Sequence, residues 1–137
     1  MSKVWFITGA GSGLGTGIAR AALRAGNRVV ATGRNLEKVR QAYPDAAQEN
    51  IAFVQLDVAD ETQAKAAVDQ AVKRFGRIDI LVNNAGYCLL GNFEQMTAAE
   101  IQQQFAPNFC ARHALTRRCP SPWLVRLTKP DKHNCRR

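Results

Sequence analysis

Near the start of the chain, Thr8-Gly9-Ala10-Gly11-Ser12-Gly13-Leu14-Gly15 packs four glycines between two different periodicities. Before it stands the short apolar run 3–7 (KVWFI); after it come Ile18, Ala21, Ala22 and Ala25 at helical spacing. No other feature constrains the fold as much. Glycines give the backbone angles that side chains forbid, and let it approach other groups closely. A strand that passes through such a turn into a helix opens a βαβ unit, whose next strand lies parallel to the first.

The rest of the chain extends that unit. Residues 28–32 (RVVAT) read as a second strand after the break at Gly26-Asn27. Asn35 is placed to cap a helix reaching about Tyr43, and Pro44 ends it. Residues 51–56 (IAFVQL) read as a third strand. Asp60 caps a helix to Phe75, with Ala64, Ala67, Val68, Ala71, Val72 and Phe75 on one face and Gly76 at its end. Residues 79–82 (DILV) are a fourth strand, and Thr97 with Glu100 forms a capping box for a further helix. Strands alternating with helices over short connections predict an α/β fold, and near-continuous apolar strands predict a parallel sheet covered on both faces.

The position of the turn gives it a chemistry. Glycines 9, 13 and 15 leave no side chain between backbone N–H groups and a pyrophosphate, and the following helix start adds unpaired donors and partial positive charge. Gly17 or Ala19 would let that helix lie close to the sheet. No Gly-Lys-Ser/Thr follows, which excludes a P-loop.

Thr8-Gly-x-x-x-Gly13-x-Gly15, Asp57-Val58 after the third strand, and Asn83-Asn84-Ala85-Gly86 after the fourth together resemble the cofactor signatures of the short-chain dehydrogenase/reductase family. The resemblance covers about residues 3–109. It implies a Rossmann-type doubly wound parallel sheet, here partial, with about four strands in the order 3-2-1-4. It also implies that residues 1–109 bind a nicotinamide dinucleotide through Thr8, Gly9, Gly11, Ser12, Gly13, Leu14 and Gly15. Asp57 would accept from the adenine amino group and Val58 would flank the ring. The segment 83–86, Asn83-Asn84-Ala85-Gly86, would border the adenosine ribose, and Asn83 would help tie the strand ends together. Homo-oligomers through the helix from Thr97 are a further implication.

Cofactor choice is legible at Thr32-Gly33-Arg34-Asn35. A site selective for NAD(H) places an acid there for the ribose 2′-hydroxyl. Arg34 instead offers a planar fork to a 2′-phosphate, Gly33 leaves room for it, and Glu37 falls inside the next helix. The expectation is NADP(H) over NAD(H).

The family's chemistry needs a Tyr-x-x-x-Lys pair and a Ser after the fifth strand. The chain has two tyrosines, Tyr43 and Tyr87, followed four positions on by Ala47 and Gly91. Asn108 matches the family's relay Asn, although Pro107 biases Ala106 away from the α region. Residues 110–137 are expected to form an irregular basic tail outside the resemblance, with only 123–127 as a possible strand. Read two bases on, the codons of 116–121 can encode Ala-Ala-Leu-Pro-Val, which suggests a frame change. The fourth strand would then be a sheet edge with unpaired backbone groups, and the chain marginally stable. The implied function is an oxidoreductase acting on a carbonyl or secondary alcohol, with this chain retaining the cofactor motifs. Alternatives are a non-catalytic nucleotide-binding module and nonspecific nucleic-acid binding through the tail.

The net charge of +8 does not make the domain a nucleic-acid binder. Residues 1–110 carry 11 Lys+Arg against 10 Asp+Glu, and residues 111–137 carry 8 against Asp131 alone. The excess belongs to the tail, where Trp123 is the only aromatic available for stacking. Cys110, His113, Cys119, His133 and Cys135 lack zinc-ligand spacing, and no metal is expected. No apolar run of about 18 residues predicts a membrane span. The N-terminal run is too short for a signal peptide, so the expected location is cytoplasmic.

Overall fold

In the computed structural model, residues 1–86, 88–118 and 123–125 are described, with side chains for all of these except 110, 112–114 and 123–125. The strands are β1 (Val4–Ile7), β2 (Arg28–Gly33), β3 (Ile51–Gln55), β4 (Ile80–Val82) and β5 (Trp123–Val125). The helices are α1 (Gly13–Arg24), α2 (Leu36–Gln41), α3 (Glu61–Phe75), α4 (Ala98–Phe105) and α5 (Ala111–Arg118). All strand pairs are parallel, in the order β3-β2-β1-β4-β5. The expected 3-2-1-4 arrangement is therefore present.

Side-chain alternation along β1 and β2 divides the core in two. Phe6 and Val30 face one layer with Leu56, Ala64, Ala67, Ala71 and Leu115. Ile7, Val29 and Ala31 face the other with Ala19, Ala22, Val39 and Tyr43. α3 buries Ala64, Ala67, Val68 and Ala71, but Val72 is exposed, outside the stripe that the sequence assigned to it. Helix ends follow local chemistry: Asn35 accepts from Lys38, Asp60 from Thr62 and Gln63, and Thr97 with Glu100 forms the full capping box. Gly76 closes α3 in the left-handed conformation, φ 81°.

Three expectations are corrected. β4 is not a sheet edge, because β5 pairs with it, Ile80 opposite Trp123 and Val82 opposite Val125. The chain beyond 110 is also not irregular throughout: α5 runs to Arg118. Its Ala111 and Leu115 are buried, and Leu115 packs in the layer formed by the small residues of α3, which let two helices approach closely. Pro107 does not turn the chain out of the helix either. Residues Ala106–Cys110 form a π turn between α4 and α5. Proline lacks an N–H and crowds the carbonyl four residues back. A wider turn accommodates both, so Asn108 stays on a helical path. The basic residues at 126–137, together with Tyr87, Cys119, His133 and Cys135, lie outside the described residues. Among the described residues, no helix is long and apolar enough to cross a membrane.

The α3 cap carries a pH dependence. Amide N–H donation from Gln63, aided by its side chain and by Thr62, holds the Asp60 carboxyl below the usual carboxylate range. A folded pKa below the unfolded one stabilises at pH above the unfolded value of about 4, and the gain is lost as pH falls through the folded value. Urea melts of the wild type should show stability falling below about pH 4. Asp60→Asn keeps an acceptor but cannot ionise, so it should flatten that acid limb. An equal acid loss in the variant would remove Asp60 as its source.

Candidate functional site

The glycine-rich turn leaves β1 at its C-terminal end, the edge where open parallel sheets collect ligands. Gly9 and Gly13 take positive φ, 65° and 56°. Gly15 does not; it is glycine because an added Cβ would overlap the Gly9 carbonyl oxygen and lie 2.6 Å from Asn84 Nδ2. A Cβ on Gly17 would meet nothing within 4 Å. Ala19, fully buried, is the small residue that brings α1 to the sheet. Beneath the turn, the hydroxyls of Tyr43 and Thr16 both donate to the Ala10 carbonyl, at 2.6 and 2.8 Å.

Ser12 occupies the N-cap position of α1, yet its side chain caps no helix N–H. α2, α3 and α4 are each capped by their own side chains. The first turn of α1 also carries no acidic residue. Its first-turn donors and its end of the helix dipole are therefore met by neither a capping side chain nor an acid of that turn.

A cleft of about 300 Å³ opens beside this turn. Gly9 and Ser12 line one side, Arg34, Asp57 and Val58 another, and Ala85, Gly86 and Pro107 a third. The residues singled out as cofactor contacts thus converge from the ends of β1, β2, β3 and β4. Asp57 is held in place locally: its carboxylate accepts from the Ala59 N–H at 3.0 Å, and its own N–H donates to Gln63 Oε1 at 2.9 Å. Arg34 is exposed and forms no ion pair with any described residue. Its carbonyl accepts from Gln55 Nε2 at 3.2 Å. Glu37 lies in α2, paired with Gln41.

Other anticipated residues are placed differently. Gly11 sits against Val39, whose Cγ2 would be 3.2 Å from an added Cβ. Gly13 and the exposed Leu14 begin α1, beside the cleft. Gly33 lines the cleft but is glycine because Val39 Cγ2 would lie 2.8 Å from its Cβ, so packing of α2 explains it better than room for a phosphate. Thr8 is buried behind the cleft; its Oγ1 donates to the Val82 carbonyl and accepts from the N–H groups of Asn84 and Ala85. Asn83 is also buried and reaches Thr116 on α5 at 3.4 Å. Asn84, not Asn83, ties β1 to β4: its Nδ2 donates to the carbonyls of Thr8 at 2.9 Å and Gly9 at 3.2 Å. Asn108 stands over Gly86, where an added Cβ would lie 2.9 Å from its Oδ1.

The sequence reading placed Asn84 beside the ribose but gave its neighbour Asn83 the tie between strand ends, and it missed Tyr43. Nothing local distinguishes Asn84 from Asn83, and the tyrosine's acceptor is 33 residues away. Among the described residues, no three metal-ligating side chains gather.

Comparison with known proteins agrees with this geometry. The family model described as short chain dehydrogenase matches residues 3–126, across the boundary expected near 109. An oxidoreductase of Botryotinia fuckeliana is 39% identical over 112 residues, 82% of this chain and 38% of its own length. The 2-(R)-hydroxypropyl-CoM dehydrogenase of Xanthobacter autotrophicus is 41% identical over 97 residues, 69% of this chain and 38% of its own. A short-chain dehydrogenase from Streptomyces avermitilis superposes with a TM-score of 0.82 at 36% identity, covering 91% of this chain and 48% of that one. A 3-ketoacyl-(acyl-carrier-protein) reductase from Brucella melitensis, solved in complex with NADH, gives 0.80 at 34% identity, over 84% of this chain and 47% of that one. The chain thus spans between a third and a half of the length of these relatives. With the Gly-rich turn, the paired strand ends and the family match in agreement, the chain belongs to the short chain dehydrogenase family.

Proposed function

We propose that this chain binds a nicotinamide dinucleotide, NADPH in preference to NADH, in the cleft between the glycine-rich turn and the ends of β2 and β3. The observation that carries the reading is the uncapped N-terminus of α1, facing a cleft whose other wall holds Arg34 and Asp57. The residues present fit that group. Gly9, Gly13 and the first turn of α1 would hold the pyrophosphate. Asp57 and Val58 would hold the adenine, and Ala85 and Gly86 would border its ribose. The cofactor, when bound, supplies the hydride, and the protein positions it. In the whole protein the acceptor would be a carbonyl, or the donor a secondary alcohol.

The choice of NADPH rests on Arg34. Its guanidinium has no carboxylate partner among the described residues, and no acid occupies the position that would hold a 2′-hydroxyl. The Brucella melitensis relative was solved with NADH, so the two cofactors must be compared directly on this chain. Calorimetry should give NADPH at least about tenfold tighter binding, roughly 1.4 kcal/mol. Arg34→Asp should abolish that advantage while leaving NADH binding in place. Tighter binding of NADH by the wild type would overturn the assignment.

A second reading concerns catalysis. Neither tyrosine has a lysine four residues on, and the Tyr43 hydroxyl is engaged beneath the turn. By that observation the 137 residues bind the dinucleotide without turning it over. Phe105 and Phe109 are exposed on α4 and the π turn. In the whole protein we assign them to the homo-oligomer contact that the family resemblance implies for the helix from Thr97.

A further inference from the structure

The Ala10 carbonyl has two side-chain donors from different parts of the chain. Thr16 Oγ1 lies one turn into α1, and the Tyr43 hydroxyl comes from the segment that follows α2. The Ala10 N–H is held as well, donating to the Thr32 carbonyl at 2.8 Å. Tyr43 is buried, and its ring packs on Phe53 with centroids 5.9 Å apart. Packing alone would be satisfied by phenylalanine, so the hydroxyl needs its own explanation. A buried hydroxyl at 2.6 Å from a carbonyl is a well-formed hydrogen bond.

A peptide unit is planar and trans, so its C=O and the next N–H point in opposite directions. Two hydroxyls that hold the Ala10 carbonyl toward Tyr43 and Thr16 therefore turn the Gly11 N–H the other way. Gly11 lies in the middle of the turn, between two glycines of positive φ. Glycines make peptide flips easy, and a flipped Ala10–Gly11 peptide would present a carbonyl oxygen where a donor should stand.

We infer that Tyr43 and Thr16 are positioning residues that clamp the Ala10 carbonyl inward and so preorganise the glycine-rich turn for a pyrophosphate. The inference rests on the dinucleotide-binding reading above. Binding then loses less free energy to ordering the turn. Burial raises the Tyr43 pKa above the ordinary phenol value, so the donor keeps its proton at any pH near neutrality.

The test is calorimetric titration of the full chain with NADPH, NADH, ADP-ribose and adenosine 2′-phosphate, well below each variant's melting temperature. Tyr43→Phe keeps the ring and removes the donor. It should weaken NADPH, NADH and ADP-ribose alike, by about five- to tenfold. Adenosine 2′-phosphate lacks the pyrophosphate and should bind as to the wild type. Thr16→Ser keeps the hydroxyl and should retain wild-type affinity. Thr16→Val with Tyr43→Phe should lose more than the product of the single losses, because each single variant leaves one clamp in place. If Tyr43→Phe binds all three pyrophosphate ligands as the wild type does, or loses adenosine 2′-phosphate in parallel, the positioning role is overturned and the binding reading stands. If the wild type binds none of the four, both are overturned.

Discussion

Purified chain mixed with NADPH and a panel of ketones, quinones and aldehydes is expected to consume no cofactor above the buffer rate. Hydride transfer to a carbonyl needs a group that supplies the proton in the transition state, typically worth about 10²–10⁴-fold. The two tyrosines are followed at the fourth position by Ala47 and Gly91, so neither has the lysine that would lower its pKa. Tyr43 is disqualified again by structure. It is buried, its hydroxyl is committed to the Ala10 carbonyl, and burial pushes its pKa up, which makes it a weaker acid. On the proposed reading the cleft takes the adenosine end of a dinucleotide; none of the described residues lining it would clamp a nicotinamide ribose, so hydride geometry would be lost as well. The control is Gly13→Asp, whose carboxylate would repel the pyrophosphate. Turnover by the wild type that this control abolishes would show a catalytic site in the chain and remove the non-catalytic reading.

Gly15→Ala and Gly17→Ala should shift stability in opposite directions, although both put the same methyl group on one helix. Both residues lie in α1, and neither has positive φ. By helix propensity alone each change should stabilise by about 1 kcal/mol. Gly17 realises that gain, because its Cβ would enter open space. Gly15 does not, because its Cβ would overlap the Gly9 carbonyl and crowd Asn84 Nδ2. Those two groups are hydrogen-bonded to each other at 3.2 Å, and Asn84 also holds the Thr8 carbonyl. Neither can retreat without breaking the tie between β1 and β4. Overpacking of this kind costs about 1–3 kcal/mol, and more where backbone must move. We expect Gly15→Ala to lower the melting temperature by on the order of 10 °C. Gly17→Ala should raise it by a few degrees. Gly15→Ala should also lose dinucleotide binding, since the turn must open to admit the methyl group. Calorimetric melts of the two variants beside the wild type decide it; shifts of the same sign would contradict the close approach at Gly15.

Where the sequence reading succeeded, the forces were local. Caps at Asn35, Asp60 and Thr97 lie two or three residues from the amides they satisfy, and the structure forms all of them. The stripe along α3 repeats every three to four residues, and only Val72, near its end, falls outside it. Asp57 and Val58 could be assigned to the cleft because a residue just past a parallel strand emerges at the edge where the cleft must be. The misplacements involve groups brought together from far apart in the chain. Residues 123–127 could be read as a possible strand, but that 123–125 pair in parallel beside β4 could not, because the two segments meet only once the sheet is assembled. Pro107 was read by its local bias, and the π turn that tolerates it belongs to a helix held against α3 through Leu115.

By itself, the sequence determined the alternation of strands and helices, the turn after the first strand, the three side-chain caps and the lack of a Tyr-x-x-x-Lys pair. Each of these is a matter of residue type and short spacing, and neighbours along the chain are enough to decide it. Only the tertiary structure decided that Asn84 joins the strand ends, that Val39 rather than a ligand keeps Gly33 a glycine, and that Tyr43 reaches the turn. Tyr43 and Ala10 are 33 residues apart, and Asn84 and Thr8 are 76 apart. Such pairs have no preferred distance until the sheet has ordered its strands, so composition and periodicity carry no trace of them. The close approaches that shape the cleft arise from packing, and packing is a property of the assembled layers.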